Sequence, residues 1–291
     1  MATELSIERS INRNHKGISM FGKIKRIIDI FSTINVVKTI YLNFKVFPIS
    51  IAKKLPVYVG KKVDINEIHK GSIEFQKGVE IKKGMVSLGI CQHPMISNKG
   101  LTTLLRITQH GKLVLGDDIK IYSGCSIIVT YEGELIIGSD FLMNQKSRLY
   151  CANSVNIGKH VRIGWETQIY DSNFHFTYDS VNHLIGNALG TVRFGSNVWI
   201  GNRCTVAKGS SLPDYTIIGS NSLVSKKLEN EFGGGIWVGM PVSLKREGFY
   251  RILDNKIQAE LFSYFQKEGA HKKVRSISLS GEDLEKCLNH R

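Results

Sequence analysis

Residues 194–226 read FGSNVWIGNRCTVAKGSSLPDYTIIGSNSLVSK, and every sixth residue is apolar: Phe194, Ile200, Val206, Leu212, Ile218 and Val224. The residue that follows is small or turn-forming each time: Gly195, Gly201, Ala207, Pro213, Gly219 and Ser225. Working back along the chain, the same frame holds at Ile157, Ile163 and Ile169, at Ile137, Met143 and Leu149, and at Leu115, Ile121 and Ile127. Val59-Gly60 and the stretch from Phe75 to Ile81 read as degenerate early copies. A period of six fits neither the 3.6-residue helix nor simple alternation. It fits very short strands joined by tight corners, with one aliphatic side chain pointing inward per side of a prism. No single coil can bury such a face, but stacked coils bury a continuous ladder. Glycine and asparagine near the corners are expected to supply positive φ.

The repeat breaks in three places. Thr130 to Leu135 adds a small corner loop, Gly89 to Gly111 a larger excursion, and Asp171 to Arg193 the longest one. Insertions into a solenoid become loops, often on its binding face. Outside the repeats, Met20 to Val46 carries a helical stripe of Phe21, Ile24, Ile27, Ile28, Phe31 and Ile34, with Lys23, Lys25 and Arg26 between them. Gly248 to Lys267 also reads helical, and Ser280 to Asp283 resembles a capping box. The expected organisation is a helical lead over 1–54, a repeat domain over 55–246 and a helical extension over 247–291.

The composition is that of a globular protein, 42% hydrophobic and 22% charged. No apolar stretch approaches the roughly 20 residues that span a bilayer. The first residues, MATELSIERS, have no secretory apolar region, so a cytoplasmic location is expected, with the inner membrane face as an option. Cys91, Cys125, Cys151, Cys204 and Cys287 are scattered and never in a CxxC pair, which argues against a disulfide framework and a thiolate zinc site and for buried free thiols. The net charge of +14 suggests an anionic partner. The basic residues are dispersed and accompany no nucleic-acid module, so no nucleic-acid partner is expected.

From roughly Pro56 to Arg246 the repeat is similar to that of the hexapeptide-repeat acyltransferase superfamily. The resemblance implies a mainly β chain folded as a left-handed parallel β-helix, three hexads to a coil. It also implies acetyl-CoA as co-substrate, no metal, and a homotrimer with sites at subunit boundaries. The Asn43 to Lys45 segment and Leu55-Pro-Val-Tyr-Val59 resemble bacterial acetyltransferases of capsule or lipopolysaccharide assembly. That implies a carbohydrate acceptor, acetylated on a hydroxyl.

His175 falls six residues after Ile169, where an aliphatic residue is due, and then the frame collapses into the long loop. In sugar and antibiotic O-acetyltransferases of this superfamily a histidine so placed opens the loop before a run resembling Asn197 to Gly201. The resemblance implies that His175 is the general base, a role that contributes typically about 10²–10⁴-fold. Asn144 resembles an asparagine one coil earlier that binds the acceptor or helps hold the oxyanion; a corner Asn in a left-handed conformation is the plainer reading. Asp171 and Asp179 flank His175 and are candidates to orient its ring or bind sugar hydroxyls, with Trp199 joining the acceptor set. A family acid expected shortly after the asparagine is replaced by Ala152. Resemblance places coenzyme A contacts at Asn202, Ser220, Ser225, Lys226 and Arg246, the last pair supplying cations for phosphate.

Two other functions fit the same fold. A non-catalytic scaffold needs none of these polar positions. A carbonic-anhydrase-like zinc enzyme needs three converging histidines, for which His160, His175 and His183 lie in the right region. The stripe from residues 20 to 46 fits either a cap over the first coil or weak docking on an anionic membrane.

Overall fold

The computed structural model describes residues 33–90, 96–97, 99–108, 110–229 and 234–268. From Val57 to Val224 the chain winds in rotation through three sheets of nine, seven and six strands, and the last two strands both join the first sheet. Sheet 1 begins with β1 (Val57–Val59), sheet 2 with β2 (Val63–Asn66) and sheet 3 with β3 (Ile73–Phe75). This is the mainly β, hexapeptide-repeat parallel β-helix expected from the sequence, with helical flanks. Seven coils follow one another, and within the three sheets only the closing strand, Val242–Glu247, runs antiparallel among the described residues.

The six-residue frame becomes vertical columns. In sheet 2, Leu105, Ile127, Leu149, Ile169, Val206 and Val224 stand in register through successive coils. Every one is at least 98% buried, so the prism interior is a continuous aliphatic stack. A second inward column, two residues before the first, was not apparent from the sequence. It holds small residues such as Val161, Val198, Cys125, Ser147, Thr167 and Cys204, all buried. Along the edge between sheets 1 and 2 their polar atoms donate to a carbonyl one coil further on. Cys125 Sγ reaches Asn144 O at 3.0 Å, Ser147 Oγ reaches Gly164 O at 2.8 Å, Thr167 Oγ1 reaches Gly201 O at 3.0 Å and Cys204 Sγ reaches Gly219 O at 3.1 Å. Burial pushes the Cys125 thiol up to about 12 and raises that of Cys204 as well, so both stay protonated donors. Cys125, Cys151 and Cys204 are the expected buried free thiols; Cys91 and Cys287 lie outside the described residues.

The glycines after each aliphatic residue serve a different purpose from the one expected. The positive-φ corner comes two residues later and is held by side-chain-bearing residues, among them Asp140, His160, Glu166, Arg203 and Asn221. The glycines instead allow coils to touch. A Cβ on Gly164 would stand 2.5 Å from the Gly201 carbonyl carbon, and one on Gly201 would stand 2.6 Å from Ser220 N.

The N-terminal flank is also arranged differently from a single 20–46 helix. Ile34 forms an antiparallel bridge to Gly60, and Asn35 caps a new helix, α1 (Val36–Val46), accepting from Lys38 N at 2.9 Å. Leu42 and Val46 on α1 join the prism core, so α1 covers the first coil as a cap. A short α2 (Ile49–Ala52) follows. The other stripe residues of 20–32, and the capping box at 280–283, lie outside the described residues. At the far end, residues 248–254 form neither helix nor strand, and the helix expected from Gly248 starts later, as α3 (Asn255–Glu268). Tyr250 is held against Tyr215 with ring centroids 5.5 Å apart, and this packing overrides the helical pattern.

These contacts make a direct prediction. Gly164→Ala should destabilise the protein by about 1–3 kcal/mol, because its methyl has nowhere to go. Tyr131→Gly, at an exposed corner with φ 54, should stay within about 1 kcal/mol of wild type. Urea unfolding midpoints test both, and a Gly164→Ala protein as stable as wild type would refute the close-approach explanation.

Candidate functional site

The straight edges of the prism sort the candidate residues. The edge between sheets 1 and 2 carries, from one coil to the next, Tyr122, Asn144, Gly164, Gly201 and Gly219 directly after the inward aliphatics. Asn144 therefore puts an amide where the later coils have glycine. It is half-buried, and its side chain makes no hydrogen bond among the described residues. Asn202 and Ser220 lie further along the same edge, joined by a 3.2 Å bond from Asn202 N to Ser220 Oγ. The excursion after Leu88 also lands there: Gln145 Nε2 donates to Ile96 O at 3.4 Å.

His175 lies elsewhere, at the edge between sheets 2 and 3. Instead of pointing inward where the frame would put it, its side chain is exposed, without a hydrogen bond among the described residues. The long loop that it opens is a β-arm, in which Thr177–Asp179 pairs antiparallel with Leu184–Gly186. The neck of the arm is closed by Asn173 N donating to Ala188 O and Gly190 N to Asp171 O, both 2.8 Å. Phe174 packs over Tyr150 and Tyr170 on the outer face of sheet 2, with centroids 4.8 and 6.0 Å away, and this contact fixes the backbone immediately before His175.

Asp171 is fully buried, and its carboxylate accepts from the N–H groups of Ala152, Asn153 and Ser154 at 2.8, 2.8 and 2.7 Å. Those three bonds occupy the side chain with the corner below, so it anchors the loop mouth. Asp179 is exposed and accepts from Val181 N, Asn182 N and the Asn182 side chain, which holds its carboxyl below the usual range and shapes the tip of the arm. Neither carboxylate is hydrogen-bonded to His175. Ser225 and Lys226 are exposed on the His175 edge, two coils further on, and Arg246 lies on the closing strand with its guanidinium over Phe249. Trp199 stands on the outer face of sheet 1, between Arg162 and Ile217.

Within one chain, then, Asn144 and His175 sit on opposite edges of sheet 2, whose strand Arg148–Cys151 alone covers about 13 Å. The candidate cofactor contacts divide the same way: Asn202 and Ser220 on one edge, Ser225 and Lys226 on the other. Of the histidines weighed for a metal, His160 pairs with Asp140 at 2.9 Å on the third edge, and His183 with the Tyr178 hydroxyl at 2.8 Å. No group of metal-ligating side chains converges among the described residues. A residue that sequence reasoning missed is Arg251, packed over the Trp199 ring.

No family model matches the chain, and no curated protein matches it. Similar solved structures include the polySia specific acetyltransferase NeuO, at 16% identity over 73% of this chain and 99% of that one, with a TM-score of 0.47. The polysialic acid O-acetyltransferase OatWY follows at 17% identity, 72% and 94% coverage, and a TM-score of 0.40. AntD, an N-acyltransferase from Bacillus cereus, is 16% identical over 73% of this chain and 87% of that one, with a TM-score of 0.35.

If the Asp171 carboxylate anchors the loop mouth, Asp171→Ala leaves three backbone donors without their acceptor. Hydrogen exchange at the amides of Ala152, Asn153 and Ser154 should then speed up by at least about tenfold, the loss of bonds worth about 1.5–3 kcal/mol each. Unchanged protection there would remove Asp171 from this role.

Proposed function

We propose that the protein transfers an acetyl group from acetyl-CoA to a sugar hydroxyl, with the site completed between two copies of the chain. The observation that carries this reading is the division of the candidate residues between two edges of one sheet. Of the candidate residues, the uncommitted Asn144 amide stands on the first edge with Asn202 and Ser220, and the imidazole of His175 stands on the second with Lys226. A groove between the first edge of one copy and the second edge of its neighbour contains both. Such a head-to-tail contact repeats around a ring, and closure at three gives a homotrimer with three equivalent sites. The arm supports it: Phe176, Val181 and Ile185 are each more than 70% exposed on a single chain. Three large apolar side chains exposed on one short arm suit burial against a neighbour.

In this arrangement His175 accepts the proton of the acceptor hydroxyl as its oxygen attacks the thioester carbonyl. The tetrahedral intermediate collapses with release of the coenzyme A thiol, which takes up the proton, and the sugar leaves as its acetyl ester. The Asn144 amide is placed to hold the acceptor or the oxyanion. Lys226 and Arg246 supply cations for the phosphates of the coenzyme. The expected acceptor is a surface glycan or its precursor, made in the cytoplasm.

Acetyl transfer to a panel of glycans, mapped by NMR, tests the activity, and mixed subunits test the shared site. His175→Ala should lower turnover by about two to four orders of magnitude with the fold intact, and Asn144→Ala should also lose activity. Mixing and reassembling the two inactive proteins should restore a fraction of turnover, since some boundaries then pair an intact His175 with an intact Asn144. Normal turnover by folded His175→Ala, or no recovery on mixing, would overturn the reading.

A membrane surface suits the capped end of the prism. No described helix is long and apolar enough to cross a bilayer. Yet the face of α1 turned away from the core exposes Val37, Ile40, Tyr41 and Phe44, with Ile49 of α2 beside them and Lys45, Lys53, Lys54, Lys61 and Lys62 exposed at the same end. We propose weak docking of this face on anionic lipid, the apolar side chains entering the interface and the lysines meeting headgroups. Removing α1 is a poor test, because Leu42 and Val46 belong to the core. The full chain carrying Ile40→Ser and Phe44→Ser is the better one. Wild type should co-sediment with phosphatidylcholine vesicles only when they contain phosphatidylglycerol, and the variant should lose at least half of that binding. Binding indifferent to lipid charge, or to the two substitutions, would rule docking out.

A further inference from the structure

The outer face of sheet 1 holds a half-buried guanidinium with no ion pair or hydrogen bond among the described residues. Arg251 comes from the irregular segment after the closing strand and lies 5.8 Å from the Trp199 ring centroid. Its Nη1 is buried and without a hydrogen-bond partner. No ion pair or hydrogen bond of its guanidinium exists among the described residues. The neighbouring cation makes matters worse. Arg162 stands one rung below Trp199, and burial together with the Arg162 charge pushes Arg251 down to about 10, still protonated at neutral pH. Asp140 is the carboxylate within electrostatic range, but it already accepts from Arg162 at 2.6 Å and pairs with His160 at 2.9 Å. One carboxylate therefore faces two guanidinium groups.

A partly desolvated cation without a charge partner is costly, and a bound anion would offset that cost. The surroundings say what kind. A guanidinium presents paired donors that match a carboxylate or phosphate. Trp199 is 43% exposed beside Arg251, so indole surface remains for a sugar ring to lie against. Asn197, two residues before it, leaves a buried Oδ1 without a donor, which suits a hydroxyl. The place is also right, since Leu142, Arg162 and Trp199 are successive rungs, and Asn144 and Asn202 lie two and three residues beyond the first and last.

We infer that Arg251, Trp199 and Asn197 form a subsite for an acidic acceptor, Arg251 taking the carboxylate or phosphate of the sugar and Trp199 its ring face. The subsite rests on the acetyl-transfer reading only for its purpose; binding can be measured without turnover. It gives the C-terminal extension a role in substrate choice.

The test uses the intact protein without acetyl-CoA. Glucose, glucuronate and glucose 6-phosphate are compared by saturation-transfer NMR and by thermal shift, for wild type, Arg251→Gln, Arg251→Lys and the sheet 3 control Arg193→Gln. Wild type and the control should bind one of the two acidic sugars at least about tenfold better than glucose, as a charge-assisted pair requires. The preference should collapse in Arg251→Gln, survive in part in Arg251→Lys, and fall with added salt. Arg251→Gln should melt no lower than wild type without ligand, because it removes an unpaired charge. Equal binding of glucose and both acids, or a preference that Arg251→Gln leaves intact, would overturn the inference. So would a melting point well below wild type, which makes Arg251 a strap for the extension. If coenzyme A displaces the acidic sugar from the wild-type site but not from one lacking Arg251, the anion belongs to the coenzyme and the acceptor assignment fails. Absent acetyl transfer with the acid preference intact would instead count against the catalytic reading alone.

Discussion

Stacked parallel strands lie about 4.8 Å apart, and that spacing governs the rest of the molecule. It is set by bonds such as Gly164 N to Ile200 O at 2.9 Å and Gly201 N to Ile218 O at 2.8 Å. At glycines just past an inward aliphatic, such as Gly138, Gly158, Gly164 and Gly201, the coils lie so close that a Cβ would stand within 2.6 Å of the next coil's backbone. Glycine recurs there for lack of a side chain. The left-handed corner two residues later is open to solvent, and Asp, His, Glu, Arg and Asn fill it, although such a residue costs roughly 1–2 kcal/mol in that conformation. The costs are accepted because each corner returns the chain to the register of the coil beneath.

A rigid stack turns sequence positions into straight edges, and edges are where chemistry can be placed. Where the stacking position carries a side chain, as at Asn144, that side chain must project sideways past the corner. The polar ladder behind this edge, from Cys125 through Ser147 and Thr167 to Cys204, satisfies the carbonyls turned toward the interior and leaves Asn144's amide uncommitted. On the opposite edge the coil is interrupted instead. Asp171 ties three amides of the coil below to the point of departure, so the arm leaves from a fixed neck.

The prism was legible because its signal is redundant: Phe194 to Val224 repeats one instruction six times, and a chance match of that length is improbable. The second inward column was hidden because Cys, Ser, Thr and Val share a small volume but no hydropathy. The purpose of the glycines was misassigned because a sequence shows that a side chain is missing, not whether torsion or contact requires it. Residues 248–254 carry a helical pattern, yet Tyr250 and Arg251 find better partners on the prism, a tertiary choice with no local trace. Asp171 and His175 are close in sequence and alike in polarity; only the structure separates an anchor from an exposed imidazole.

Those distinctions bear on how a basic chain selects partners. The net charge is +14, and most lysines among the described residues are exposed, where they attract anions of every kind and discriminate little. Arg251 differs in being desolvated against an indole, where an unpaired charge interacts far more strongly and geometry counts. Exposed lysines at the α1 end suit a diffuse target such as a headgroup layer, while a single half-buried guanidinium suits one fixed group on one ligand. The same excess of positive charge therefore serves two purposes according to burial: long-range attraction at the capped end, and selection beside Trp199.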